Sequence, residues 1–180
     1  MKYIYVFLTT GFEEIEALAV VDILRRAGLG VRTVSLETEK KVIGSHAIPV
    51  EADLLFEEVN FEDAELLVLP GGTVRINEHE GLKKQILAFY NNGNNVAAIC
   101  AAPMVFGGLG MLNGKKATAY PGFEGYLAGA ILETDKSVVV DGNIITGRGP
   151  GLSLEFGLTL VEIVAGKTKR DEVAAGLLLK

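Results

Sequence analysis

Val96-Ala97-Ala98-Ile99-Cys100-Ala101-Ala102-Pro103-Met104-Val105-Phe106 decides how the chain is read. The first four residues form an apolar run of the kind found in a buried central strand. Small residues then allow a sharp turn, and Pro103 suits the first turn of a helix, where a missing N–H costs nothing. A strand running straight into a helix through such a turn predicts a nucleophile elbow, with Cys100 in place of serine. The thiol is expected at the carboxyl edge of the sheet, beside free N–H groups and the positive end of a helix, which favour a thiolate. An inert buried cysteine is the alternative, since free cysteine packs as a small hydrophobe. The strand–turn–helix setting favours the reactive one.

Outward from this segment, strand and helix signals alternate. Tyr3 to Leu8, Val31 to Leu36, Leu66 to Leu69 and Val96 to Ile99 read as strands. Glu14 to Arg26 carries an apolar stripe of Ala17, Val20, Val21 and Leu24 and stops at Gly28. Val42 to Val50 reads as a peripheral strand or hairpin, with Gly44 and Pro49 marking breaks. Gly81 to Asn91 reads as an amphipathic helix. Asp141-Gly142, between two β-branched runs, is a hairpin turn. A helix is expected from Leu152 to Ala165, ending near Gly166, and a short last one from Arg170 to Leu178. Continuous apolar strands alternating with helices predict an α/β sandwich: a mostly parallel sheet with helices on both faces. Ligands of such sheets bind at the carboxyl ends of the strands. Three such ends converge: Gly11 to Glu16, Gly71-Gly72 and Cys100-Ala101.

The chain has 180 residues, and 49% are hydrophobic, enough for one core and too many for a disordered chain. A single domain over residues 1–180 is expected. The net charge of −6 argues against nucleic acid or an anionic membrane as partner. A lone cysteine excludes an internal disulfide framework and fits a reducing, cytoplasmic setting. The apolar start of the chain runs directly into Phe12-Glu13-Glu14, so it reads as a first strand rather than a leader. No stretch has the length and apolarity of a membrane span.

Chemistry is sought near Cys100. Glu13, Glu14 and Glu16 all sit where a helix dipole welcomes a carboxylate. Glu16 lies beside the apolar face, followed by Val20, Ile23 and Ala27 at helical spacing, so burial should raise its pKa and let it share a proton with sulfur. Periodicity alone does not choose it over Glu13. Gly71 and Gly72 form either a plain turn or, with Ala101, a pocket of backbone donors. His79 reads as a solvated residue at a helix start. No pair of ligands has metal-site spacing, no phosphate loop is present, and neither a metal nor a cofactor is expected.

These segments resemble the ThiJ/PfpI superfamily, whose flavodoxin-like fold is related to that of class I glutamine amidotransferases. The resemblance rests on Gly11-Phe12-Glu13-Glu14-Ile15-Glu16, Leu24-Arg25-Arg26-Ala27-Gly28, Val68-Leu69-Pro70-Gly71-Gly72, Ala98-Ile99-Cys100-Ala101-Ala102-Pro103 and Thr146-Gly147-Arg148-Gly149-Pro150-Gly151. It is closest to the branch holding the parkinsonism-associated protein deglycase. It implies a reactive Cys100, a protonated Glu16 paired with it, backbone donors from Gly72 and Ala101, a structural loop at Arg148 and a homodimer built partly on the first helix. Many relatives carry His-Pro where this chain has Tyr120-Pro121, and tyrosine is a poor base near neutral pH. The protease-like branch carries histidine where Ala101 stands, so a Cys–His protease is disfavoured. Relatives can place an arginine near His46, a role His46 fills only in part and only when protonated.

The implied activity is a cysteine-dependent deglycase or glyoxalase acting on methylglyoxal, glyoxal and early glycation adducts. Three alternatives remain. The first is an oxidative-stress sensor or chaperone working through oxidation of Cys100. The second is the thiamine-biosynthesis role attached to the family label, for which no residue signal appears. The third is an amidotransferase-like hydrolase, which lacks its histidine here.

Overall fold

A computed structural model describes residues 2–179. Its centre is a seven-stranded sheet in the order β10-β11-β7-β6-β1-β2-β5. These strands are β1 (Tyr3–Leu8), β2 (Val31–Ser35), β5 (Leu54–Leu55), β6 (Ala64–Leu69), β7 (Asn95–Ile99), β10 (Val138–Asp141) and β11 (Ile144–Gly147). All neighbours are parallel except β10, which runs back along β11 through the Asp141-Gly142 turn. Two small sheets flank it: β3 (Lys41–Ile43) with β4 (Pro49–Glu51), and β8 (Lys116–Ala117) with β9 (Ile131–Leu132).

The period of two in each strand divides the core into two layers. Ile4, Val6, Leu66, Val68, Ala97 and Ile99 face α1 (Glu14–Arg26) and α4 (Ser153–Gly176). Tyr5, Phe7, Leu67, Leu69, Val96 and Ala98 face α2 (Glu80–Asn91) and α3 (Pro103–Gly108). The result is the expected three-layer sandwich. α1 begins under a cap in which the Glu13 carboxylate accepts the Glu16 N–H, and it stops where Gly28 takes φ of 77°. α4 lies close along α1: a Cβ on Gly157 would fall 2.9 Å from Ile23 Cδ1.

Two expectations shift. The last helix does not restart at Arg170; helical structure resumes directly after Gly166, whose φ of 85° and ψ of 166° break the axis. The two-residue strands β5, β8 and β9 were not foreseen, being too short to show any periodicity. Among the described residues no helix is long and apolar enough to cross a membrane.

This order creates a switch point. The chain leaves β1 toward β2 on one side and returns to place β6 on the other. The crevice at the carboxyl ends of β1 and β6 is where open α/β sheets bind ligands. The Gly11–Glu13 and Gly71-Gly72 loops meet there, joined by the Glu13 N–H donating to Gly71 O at 2.9 Å.

Candidate active site

Cys100 follows β7 directly with φ of 66°, a conformation that costs a non-glycine residue about 1–3 kcal/mol. The surroundings hold it there. Its N–H donates to Gly147 O and its carbonyl accepts the Tyr120 N–H, both at 2.9 Å. The turn closes as the Ala102 N–H bonds Ile99 O at 3.1 Å. The Ala101 and Gly72 N–H groups are spent on no other backbone acceptor, and both bond toward the Cys100 sulfur. The elbow is therefore formed as expected, with two donors aimed at one thiol.

Each of the three glutamates has a different task. Glu13 caps α1. Glu14 accepts the His46 N–H at 2.7 Å, His46 Nδ1 at 2.8 Å and the Ser45 hydroxyl at 3.0 Å. Glu16 is fully buried beneath the elbow, where the Gly71 N–H donates to its Oε2 at 2.8 Å. Among the described residues its Oε1 has no nitrogen or oxygen partner, and the neighbour left for the carboxyl is the Cys100 thiol. Gly71 is the spacer. A Cβ there would lie 2.7 Å from Cys100 Cβ and 2.8 Å from Glu16 Oε2. Gly72 has φ of 94°, and a Cβ would overlap the Glu13 nitrogen.

Burial pushes the Glu16 carboxyl up to about 7, against the bonds from Cys100 and Gly71 that favour its charge. The expected ease of ionising Cys100 meets an opposing force. Burial, the Glu16 charge and the bond to Glu16 push the thiol up to about 12, while the Ala101 and Gly72 N–H groups pull it down. α3 has only six residues, so its dipole contributes little. The two groups titrate as a pair. The first proton leaves near neutrality, and while Glu16 is ionised the second stays on sulfur. With Glu16 protonated, its repulsion is gone and its O–H becomes a donor to sulfur. The arrangement suits a thiol that passes its proton to an adjacent carboxylate as it attacks.

Cys100 is only 8% exposed, at the foot of a cleft of about 220 Å³ shared with Gly72, Thr73, Val74, Ala101, Tyr120 and Phe123. Thr73, Val74 and Phe123 gave no sequence signal beyond their closeness to Gly72 and Tyr120. Arg148 stands apart: its N–H bonds Ser137 O, and it lines a neighbouring cleft beyond Tyr120. His46 does not line the Cys100 cleft; it lies on the β3–β4 hairpin against Glu14. His79 caps α2, accepting the Leu82 N–H at 3.0 Å. Glu13, Glu14 and His46 bring ligand atoms within 4.8 Å of one another, a grouping invisible to spacing because His46 arrives from another element. The Glu14 oxygens there are already engaged by Ser45 and His46.

Residues 2–163 match the DJ-1/PfpI family. The Arabidopsis thaliana protein named DJ-1 homolog A is 39% identical over 99% of this chain; the chain spans 47% of its length, about half. Pyrococcus horikoshii Deglycase PH1704 is 36% identical over 80% of this chain and 89% of its own. The crystal structure of Drosophila melanogaster DJ-1beta superposes with a TM-score of 0.95 at 37% identity, covering 99% of this chain and 98% of that one.

Proposed function

Because this chain belongs to the DJ-1/PfpI family, we propose that it is a cysteine-dependent glyoxalase or deglycase acting on methylglyoxal, glyoxal and their early adducts with amines and thiols. One observation carries the reading: a buried thiol flanked by a carboxyl of near-neutral pKa and two unspent backbone N–H groups.

Cys100 Sγ adds to the aldehyde carbon of the substrate. The thiol proton passes to Glu16 as the S–C bond forms. The C=O electron pair becomes an alkoxide, stabilised by the Gly72 and Ala101 N–H groups, and then takes that proton back from Glu16 to give a hemithioacetal. Glu16 moves a proton from the former aldehyde carbon to the neighbouring carbonyl carbon, while the hydroxyl proton passes to the neighbouring oxygen, leaving a thioester of a 2-hydroxy acid. Water cleaves the thioester. The sum is methylglyoxal plus water to lactate, or glyoxal plus water to glycolate, with no external oxidant. From an adduct, the amine or thiol is released as well.

Gly71 sets the Glu16–Cys100 separation, and Tyr120 supports the elbow through its backbone. Arg148 and His46 take no proton in this scheme. The reading also includes a homodimer, supported by Ile15 and Leu18 standing exposed on α1, and a soluble, cytoplasmic setting in which Cys100 stays reduced.

The test is lactate formation from methylglyoxal by the purified protein beside its Cys100→Ala variant. Turnover in the first and none above background in the second is expected. Equal rates would sink the proposal.

A further inference from the structure

We propose that Tyr120 sets substrate selectivity at Cys100. It joins the thiol's cleft to an apolar cleft beyond, so that the site favours α-oxoaldehydes bearing an aromatic or aliphatic substituent over glyoxal. The inference rests on the reading of Cys100 as the atom that meets the substrate carbon.

Tyr120 belongs to both clefts. On one side the cleft of about 220 Å³ holds Cys100, walled by Val74 and Phe123. On the other a cleft of about 280 Å³ runs past Pro121, Pro150 and Leu152. Small-molecule sites usually occupy roughly 300–1,000 Å³. Each cleft alone falls short of that range; a ligand that reached from one to the other past Tyr120 would have room within it.

The phenol ring has a fixed seat. Its backbone N–H is tied to Cys100 O at 2.9 Å, which sets its distance from the nucleophile. Its edge rests on Gly149, where a Cβ would lie 3.1 Å from Cδ2 and 3.5 Å from Cε2. Tyr120 is nevertheless 45% exposed, which leaves it accessible to a ligand. Among the described residues no carboxylate or ammonium lines the thiol's cleft, and Arg148 is the one cation lining the second. Glyoxal has no group to bury there. A phenyl or alkyl substituent on the carbonyl carbon beyond the aldehyde reaches across Tyr120 and gains the apolar contact.

The experiment reads alkylation of Cys100 and needs no turnover. Labelling rates with 2-bromoacetophenone and bromoacetamide are measured by intact mass, each divided by its rate with N-acetylcysteine. In both, sulfur bonds to the CH₂ carbon, bromide leaves with the C–Br pair, and the thiol proton goes to buffer; Cys100→Ala controls for other sites. A normalised preference for the aryl ketone of about tenfold is expected in the native chain. It should fall by about 2- to 10-fold, the worth of one aromatic contact, in Tyr120→Ala and persist in Tyr120→Phe. Gly149→Val, which pushes the ring from its seat, should lower it likewise and gives a second, independent variant. A preference near one in the native chain, or one unchanged in folded Tyr120→Ala and Gly149→Val, overturns the inference. Absence of dicarbonyl turnover alongside a Tyr120-dependent labelling preference would defeat the proposed activity and leave this selectivity standing.

Discussion

The catalytic reading depends on one missing methyl group. Gly71 lets Cys100 and Glu16 approach, and its φ is not positive, so alanine there meets crowding rather than backbone strain. Gly71→Ala is expected to destabilise the protein by about 1–3 kcal/mol, as overpacking does. It should cut methylglyoxal turnover by more than about tenfold, since small misplacements of reacting groups are costly. Steady-state kinetics and urea melts on the same variant check both. Glu16 supplies a second prediction, and its sign follows from linkage. Its folded pKa of about 7 lies above the ordinary 4.5, so the native state holds the extra proton between those values. Stability is therefore fully present below pH 4.5, falls as pH rises to 7, and is flat beyond until the Cys100 thiol begins to matter above 9. Relative to native protein, Glu16→Gln should gain on the order of 2–3 kcal/mol between pH 4.5 and 8. Urea melts showing no such divergence would remove the raised carboxyl. The sequence made Cys100 legible because the strand, the small residues and Pro103 are contiguous. It left Glu13 and Glu16 unresolved because both lie in one helical turn, and only Gly71, 55 residues from Glu16, separates their roles.

The β3–β4 hairpin shows what an element does that its own sequence does not announce. Its tip is clamped to the start of α1: the Ser45 N–H donates to Phe12 O, and Glu14 gathers Ser45 and His46. Gly44 is required, because a Cβ there would overlap the Glu14 carboxylate. Burial raises the Glu14 pKa, yet the bonds from His46 and Ser45 outweigh it and hold the carboxyl down at about 2. Its bond to Glu14 raises His46 above the ordinary 6.5. Glu14's contribution is present above pH 4.5 and lost as pH falls toward 2. His46's is present below 6.5 and lost as pH rises through its folded value. The clamp is thus strongest between about 4.5 and 6.5. Glu14→Gln should speed amide exchange at Gly44, Ser45 and His46 by about tenfold at pH 6, and by less at a pH above the raised pKa of His46, where its charge is lost. Equal acceleration at both values would show that the ion pair contributes nothing beyond the neutral hydrogen bonds. The strands β1, β2, β6 and β7 and the helices α1 and α2 were legible because each spans a full period of its pattern. The strand order was not, since pairing β1 with β6 across the switch point joins segments some 60 residues apart.

At the scale of the whole molecule, the two segments joined by the same clamp both carry exposed apolar side chains. Ile15 is 57% exposed and Leu18 38% exposed on the face of α1 turned away from the sheet. Ile43 and Ile48 stand exposed on the hairpin that Glu14 joins to that helix. Scattered apolar residues are ordinary on a surface, but four on two hydrogen-bonded segments are apolar surface that a monomer leaves in water. A second copy meeting it about a two-fold axis would bury all four twice, the self-complementary arrangement of most dimers. The homodimer is therefore expected to depend on Ile15. Light scattering coupled to size exclusion should give a dimer for the native chain and a monomer for Ile15→Glu. The native melting temperature should rise with protein concentration while that of the variant does not, because association stabilises only the folded state. Methylglyoxal turnover per chain separates two further cases. If it survives in the monomer, the Cys100–Glu16 pair is complete within one chain; if it falls with Cys100 labelling unchanged, the partner's surface orders the cleft. A native monomer at micromolar concentration would leave the α1 patch without the partner assigned to it.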